Sequence, residues 1–387
     1  MIPYGRQSID ESDIEAVVEV LRSDWLTQGP AVPAFEQSVA SYCGARHAVA
    51  VSNATAALHL SCLALGVGPG DLVWTSPISF VASANCARYC GADVDFVDID
   101  PGTANICTTA LEDKLHAASV ARRIPKVLIP VDFSGNPCDH RKIRELADAY
   151  GFAIIDDASH ALGAEYEGNK IGAGNFADIT VLSFHPVKMV TTAEGGMALT
   201  ANAVLAGKLR RLRTHGITRT RDEMEFPSSD EWRYEQIDLG FNYRMTDVQA
   251  ALGNSQMRRL NQFLDIRRRI ANSYREQLAH VNLRFLDQAE DRCSSHHLFV
   301  VRLKSACARR HVYNKMRSAG IGVNVHYMPI HLQPYYRRLG FTSGNFPAAE
   351  AYYDSALSIP IFPGLTPSMQ ETVIRELKTA VHEAERL

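Results

Sequence analysis

A chain of 387 residues, 46% hydrophobic and 21% charged, is long enough for two domains of ordinary size and has a globular composition. Its formal net charge of -3 gives no electrostatic reason to bind nucleic acid or an anionic membrane. No apolar run reaches the roughly 18 residues of a bilayer span, and the N-terminal MIPYGRQSIDESD lacks an apolar signal core, so a cytoplasmic protein is expected.

Asp10 or Ser12 is placed to cap a first helix, IEAVVEVLRS. A second, VPAFEQSVASYC, follows the turn TQGP. AVAVSN reads as a strand, and TAALHLSCLALG as a helix ending at Gly66. The strand candidates LVWTSP, VDFVDID, KVLIPVDF, FAIIDDA and ITVLSF alternate with the helical stretches SANCARYCG, TALEDKLHAA and DHRKIRELADAYG. Such alternation predicts an α/β fold with a largely parallel sheet covered by helices on both faces. From about Met257 the pattern changes. A long basic helix, MRRLNQFLDIRRRIANSYREQLAH, leads into HHLFVVRLK, HVYNKMRSAG and a last helix, PSMQETVIRELKTAVHEAERL. The expected division is a large domain over 1–256 and a smaller α+β domain over 257–387. The arginines at 267–269 are expected on a solvated helix face. Eight cysteines form no C-x-x-C pair and are expected to pack, reduced, as small hydrophobes.

Three segments carry chemistry. Lys188 lies in SFHPVKMVTTAEGG, just after the strand candidate ADITVLSF, where a loop amine can condense with an aldehyde. A hydroxyl at Ser183 suits a phosphate. In SNATAALH, small polar residues stand at a strand-to-helix junction, so the first helix amides, at Ala54 and Thr55, point toward an anion. In IIDDASHALGA a carboxylate sits at the carboxyl edge of the sheet, where open α/β sheets bind ligands. Asp157 is preferred to Asp156 as partner of a protonated pyridine nitrogen. These groups together fit pyridoxal 5′-phosphate (PLP). Phe80, ending TSPISF, is an aromatic able to stack on a cofactor ring or to join the core. No third acidic ligand lies at helical spacing from the aspartate pair, so no metal is expected. GNKIGAGNFAD lacks G-x-G-x-x-G order and reads as a hairpin turn, and HYMPIHLQPYY presents no H-E-x-x-H helix.

SNATAALH, IIDDASHALGA, SFHPVKMVTTAEGG, LGFNYRMTDVQAALG and VHYMPIHLQPYY stand here in the order found in the sugar-nucleotide aminotransferases of the DegT/DnrJ/EryC1/StrS family, which the chain resembles over nearly its whole length. The resemblance implies a fold-type-I PLP enzyme. PYGRQ, WLTQGP, YCGARHAVAVSNATAALHLSCLALGVGPGD and HGITR further resemble the branch that serves pseudaminic acid synthesis, which implies a UDP-linked 4-keto sugar and L-glutamate as substrates. Lys188 would hold the cofactor aldehyde and shuttle a proton. Asp157 would pair with the pyridine nitrogen, His160 would lie near the ring hydroxyl, and Phe80 would stack on the ring. Ala54, Thr55 and Ser183 would hold the phosphate. Asn242 would reach the phosphate of a neighbouring subunit's cofactor, which implies a homodimer with shared sites. Tyr4, the stretch Trp25, Leu26, Thr27 and Gln28, and the stretch His326, Tyr327, Met328 and Pro329 would contact the sugar nucleotide. Family dehydratases carry histidine in place of the lysine, so Lys188 implies transamination. Two other readings stand beside this one: a perosamine-, viosamine- or aminoarabinose-type 4-aminotransferase, and a PLP-binding regulatory protein without turnover, against which intact Lys188, Asp157 and Ser183 argue.

Overall fold

A computed structural model describes residues 1–226 and 230–386. Helix α1 (Glu11–Arg22) starts at Asp10, whose side chain accepts from the Asp13 amide while Asp13 reaches back to the Asp10 amide. Helix α2 (Ala31–Cys43) ends at Gly44 in the left-handed region. There follow β1 (His47–Val51), α3 (Ala54–Ala64), β2 (Leu72–Thr75), α4 (Ala82–Tyr89), β3 (Asp93–Phe96), α5 (Thr108–Val120), β4 (Val127–Ile129), α6 (His140–Tyr150) and β5 (Ala153–Asp157). A short hairpin, β6 (Glu165–Tyr166) and β7 (Asn169–Lys170), turns at Glu167 and Gly168 and takes in only the start of the glycine-rich stretch. It precedes β8 (Ile179–Ser183), β9 (Gly196–Thr200) and α7 (Ala203–Arg213).

Seven of these strands form one sheet in the order β1-β9-β8-β5-β4-β2-β3. Its strands run parallel except β9, which is antiparallel to both β1 and β8. Nearly every residue of β4, β5, β8 and β9 is buried, as expected of strands covered on both faces. Strands β1, β2, β4, β5 and β8 all end toward one edge, and Asn53, Phe80, Asp132, Asp157 and Lys188 lie at that edge, at or just after their ends.

After a small ribbon, β10 (Ile217–Thr218) with β11 (Glu235–Gln236), come α8 (Asp247–Met257) and α9 (Leu260–Gln277). The expected helix from Met257 is α9, which starts three residues later and meets the preceding α8 at Arg258 and Arg259. The Arg259 guanidinium, engaged by Asp10 and Asp13, fixes that joint against α1. The last third of the chain holds β12 (Arg284–Phe285), β13 (Arg292–Cys293), β14 (Phe299–Arg302), α10 (Ala306–Ser318), α11 (Pro334–Arg337), α12 (Pro347–Ser355), β15 (Ala356–Ile359) and α13 (Pro367–Ala384). Strands β12, β14 and β15 make a second, antiparallel sheet. Among the contacts that link this region to the first, Ile2 bridges to Ile321, and β13 extends the hairpin through β6.

The arginine run corrects one expectation. Arg269 is exposed, but Arg267 is 1% exposed, on the helix face shared by Phe263, Ile270 and Ala271. Its guanidinium donates to the carbonyls of His296, His297 and Ile361, and burial lowers its pKa to about 9. Most cysteines are buried and all are free, while Cys307 is exposed. Among the described residues, no helix is long and apolar enough to cross a membrane.

Candidate active site

At the carboxyl edge of the main sheet lies a cavity of about 840 Å³, a size that suits a cofactor together with part of a substrate. Each wall has a local cause. Asn53 caps α3, its side chain accepting from the Ala56 amide at 2.9 Å. The amides of Ala54 and Thr55 are left without intrahelical partners and face the cavity at the positive end of the helix. Gly196 starts β9 against this turn. A Cβ there would lie 2.4 Å from the Asn53 carbonyl carbon and 2.5 Å from the Ala54 nitrogen, so only glycine permits the approach. Ser183 is the last residue of β8 and lines the same end.

Lys188 follows in a turn closed by its own amide, which donates to the His185 carbonyl at 2.9 Å. Among the described residues its Nζ makes no hydrogen bond or ion pair. Burial pushes the amine down and the charge of Asp157 partly restores it, leaving a pKa of about 8, so a sizeable fraction is neutral near pH 7.5.

Asp157 ends β5 and is held from three directions. The Ser83 hydroxyl donates to one carboxylate oxygen at 2.6 Å. The Ser159 hydroxyl and amide donate to the other at 2.5 and 3.2 Å. Three donors thus fix the orientation of this carboxylate. Asp156, the other member of the pair, points to the opposite face of the strand.

Beside Asp157, His160 accepts from the Ser134 amide on Nδ1 at 3.3 Å, which leaves the proton on Nε2, 3.4 Å from the Tyr327 hydroxyl. Its ring packs against His297, with centroids 4.4 Å apart. Gly135 lets this layer close. Its φ is +86°, and a Cβ would lie 2.1 Å from Ser295 Oγ. Burial, reinforced by Lys188, holds His160 well below the usual imidazole range and His326 at about 3. Both rings are neutral at pH 7. Phe80 stands 59% exposed at the rim, 6.4 Å from the Tyr327 ring, rather than in the core.

Tyr4, Ala54, Thr55, Phe80, Asp157, His160, Ser183, Lys188, His326 and Tyr327 thus line one cavity. The remaining predicted residues do not. Met328 turns to the surface, and Pro329 is buried at the start of a 3-10 turn. Trp25, Leu26, Thr27, Gln28 and Asn242 are exposed outside the lining. The two stretches are joined to each other, however. Thr27 bridges Thr246, and the Asp247 carboxylate accepts from the amides of Gly29, Ala31 and Val32. Sequence reasoning missed Ser83, Ser159 and His297. Ser83 had a signal, since it stands one helical turn beyond Phe80 in SFVASAN. His297 had none, because only tertiary packing places it against His160.

The donor set fits PLP. Free helix amides and a serine hydroxyl stand at one end, a triply bonded carboxylate and a buried amine of lowered pKa at the other, and the glycine cradle keeps the phosphate end open. Such a constellation defines a PLP-dependent aminotransferase. Residues 7–378 match the DegT/DnrJ/EryC1/StrS aminotransferase family, and the chain belongs to it. The chain is 38% identical to the UDP-4-amino-4,6-dideoxy-N-acetyl-beta-L-altrosamine transaminase of Campylobacter jejuni (serotype O:23/36), over 93% of this chain and 92% of that one. Among solved structures, the putative sugar aminotransferase Spr1654 of Streptococcus pneumoniae in its PMP-form aligns with TM-score 0.90 at 31% identity, covering 99% of this chain and 100% of that one. Helicobacter pylori PseC, an aminotransferase involved in the biosynthesis of pseudoaminic acid, aligns with TM-score 0.90 at 28% identity, covering 99% of each chain. The protein is a PLP-dependent sugar-nucleotide aminotransferase that takes an amino donor and a keto sugar nucleotide.

Proposed function

We propose that the enzyme moves the amino group of L-glutamate to C4 of a UDP-linked 4-keto-6-deoxy-N-acetylhexosamine, UDP-2-acetamido-2,6-dideoxy-β-L-arabino-hexos-4-ulose. The product is UDP-4-amino-4,6-dideoxy-N-acetyl-β-L-altrosamine, for pseudaminic acid synthesis. The observation that carries this reading is a buried, partly neutral Lys188 sharing one cavity with Asp157 and the α3 amides, in a chain 38% identical to a transaminase of that name. Bound PLP supplies an aldehyde for amines and an electron-withdrawing ring that stabilises negative charge at the substrate carbon.

The chain's own groups do the rest. Ala54 and Thr55 amides with the Ser183 hydroxyl bind the phosphate. Asp157, oriented by Ser83 and Ser159, supplies the negative charge for the pyridine end. Lys188 takes the proton from the glutamate carbon and later delivers one to the sugar, acting as base and then acid at a single nitrogen. His160, kept neutral, orients the ring hydroxyl through a fixed tautomer, and Phe80 covers one face. Tyr4, His326 and Tyr327 take the sugar side.

Asn242 and Trp25–Gln28 serve a second copy's cavity in a homodimer, while Met328 and Pro329 belong to the sugar-nucleotide stretch that begins with His326 and Tyr327. For Asn242 and Trp25–Gln28, support comes from their exposure outside the chain's own cavity and from the attachment of their two segments through the Thr27–Thr246 bridge and Asp247. The division into 1–256 and 257–387 belongs to the same proposal, supported by the separate second sheet.

The test is a panel of UDP-, GDP- and dTDP-linked 4-keto sugars with L-glutamate as donor. Amination of the UDP-N-acetyl substrate with the highest kcat/KM supports the assignment. Preference for a GDP- or dTDP-linked sugar moves it to a perosamine- or viosamine-type enzyme.

A further inference from the structure

Behind β5, on the face turned away from the cavity, three titratable side chains meet. Asp132 comes from the loop after β4, His140 from the first position of α6, and Asp156 from β5. They are 0%, 3% and 2% exposed, and their ligand-type atoms lie within 4.8 Å of one another. Asp132 Oδ1 is 3.0 Å from His140 Nε2 and accepts from the Cys138 amide at 2.7 Å. The imidazole is fixed by Tyr166, edge-on at 5.5 Å, and by Phe176, stacked at 6.5 Å. Asp132 Oδ2 and Asp156 Oδ1 are buried without hydrogen-bond partners.

Charge balance decides what such a cluster holds. Two ionised carboxylates and one imidazolium leave a buried net charge of -1, which the interior tolerates poorly. Facing the cluster are also the Cys138 thiol and Arg292, and the Arg292 guanidinium is already engaged by Asp291 and the Pro137 carbonyl. A proton on Asp156 brings the sum to zero. Burial, then the charge of Asp132, holds that carboxyl well above the usual range. Burial alone would lower His140, but Asp132 and Asp156 outweigh it and lift the imidazole to about 9.

The cluster also reaches the cavity through the backbone. The Asp132 amide donates to the Asp157 carbonyl at 3.2 Å, and the Asp157 amide donates to the Pro130 carbonyl at 2.9 Å. The segment anchored by the Asp132–His140 pair therefore clamps both backbone groups of Asp157.

We propose that Asp132, His140 and Asp156 are positioning residues for Asp157: the Asp132–His140 ion pair fixes its backbone, and a proton held on Asp156 leaves the negative charge of the Asp156–Asp157 pair on Asp157 alone. This rests on Asp157 as the pyridine partner proposed above.

The experiment uses PLP-loaded protein and three readouts: the cofactor dissociation constant, the pH titration of the visible band of bound PLP, and divalent metal content. His140→Gln strips the Asp132 carboxylate of its counter-charge, so cofactor binding weakens by ~10-fold or more. The double variant Asp132→Asn/His140→Gln removes both charges and restores binding to within ~3-fold of wild type, a rescue that a merely structural role does not give. Asp156→Asn mimics the neutral acid, so its titration midpoint stays within ~0.3 pH unit of wild type. An unchanged His140→Gln, a double variant that stays as weak as the single one, or an Asp156→Asn midpoint displaced by ~1 unit overturns the proposal. So does a stoichiometric zinc or manganese ion, which would make the cluster a metal site. Where His140→Gln does not fold, Asp156→Asn and the metal content decide. Asp157→Asn is the control. If it leaves cofactor binding and the band unchanged, the pyridine-partner reading fails by itself, whatever the cluster variants do.

Discussion

Asp156 and Asp157 are neighbours on one strand, yet their surroundings are opposite. Asp157 faces the cavity and accepts three hydrogen bonds from Ser83 and Ser159. Asp156 faces α6, is buried beside Asp132 and His140, and has an oxygen with no partner. The strand's period of two sends adjacent side chains to opposite faces, so one residue step separates a carboxylate that lines the cavity from an acid packed behind the sheet. Donors orient the carboxylate at one position; burial, then the charge of Asp132, favours the neutral acid at the other. The lesson is that two identical residues in sequence acquire separate roles from the layers on either side of a sheet.

The largest effect belongs to the cavity side. Lys188→Ala removes the only amine that lines the cavity among the described residues, and turnover falls by at least ~10⁴-fold, measured as amination of the keto sugar. Retention of wild-type turnover would remove Lys188 from the chemistry. Asp157→Asn keeps the shape but not the charge, and kcat/KM falls by roughly 10³-fold. If the loss is instead as small as that of a surface substitution, the contrast between the two aspartates disappears.

The other side of the strand is read through stability. The folded pKa of His140, about 9, lies above its unfolded value of 6.5. Its contribution is therefore fully present below pH 6.5 and is lost as pH rises through 9. At about 1.4 kcal/mol per pH unit, this amounts to about 3 kcal/mol. Urea denaturation between pH 6 and 10 should show the decline in wild type and a flatter profile in the Asp132→Asn/His140→Gln variant; parallel profiles would mean His140 is not charged in the folded state.

Smaller effects sharpen the picture. Ser83→Ala removes one of the three donors on Asp157, and cofactor affinity drops by ~10-fold while thermal stability barely changes. An equal loss of both would place Ser83 in the packing instead. Lastly, the amine of Lys188 titrates near 8, so the rate at which added PLP is taken up by cofactor-free enzyme rises about tenfold from pH 7 to 9, levelling above the midpoint. A rate flat across that range would mean that the amine is already neutral at pH 7.

Much of this was legible in the chain. Lys188, Asp157, Ser183 and the SNATAALH turn stand at the ends of strands whose apolar runs were plain, and the β–α alternation forced those ends to one edge of the sheet. Helix α8 was passed over because its alternation of small and polar residues, DVQAALGNSQM, gives no apolar stripe, and its caps became visible only in the Thr246–Gln249 pairing. Arg267 departs from the solvated face expected of the arginine run because its register on α9 follows Phe263 and Ile270. The cluster of Asp132, His140 and Asp156 escaped notice because its members are dispersed over three elements, and no local spacing rule joins them.

By itself, then, the sequence determined the parts whose signal is local. These are strand and helix identity, set by periodicity; turn and cap chemistry, set by the residues at each junction; and the reactive amine, whose place after β8 follows from the strand before it. Tertiary structure decided everything that depends on which elements share a face. It gave Asp157 and not Asp156 the serine donors, buried Arg267 and His140, kept His160 neutral against His297, and joined Trp25–Gln28 to the loop bearing Asn242 at a surface outside the cavity. The physical reason is that ionisation and hydrogen bonding are fixed by the dielectric and the partners around a group, and those are supplied by residues far away in the chain.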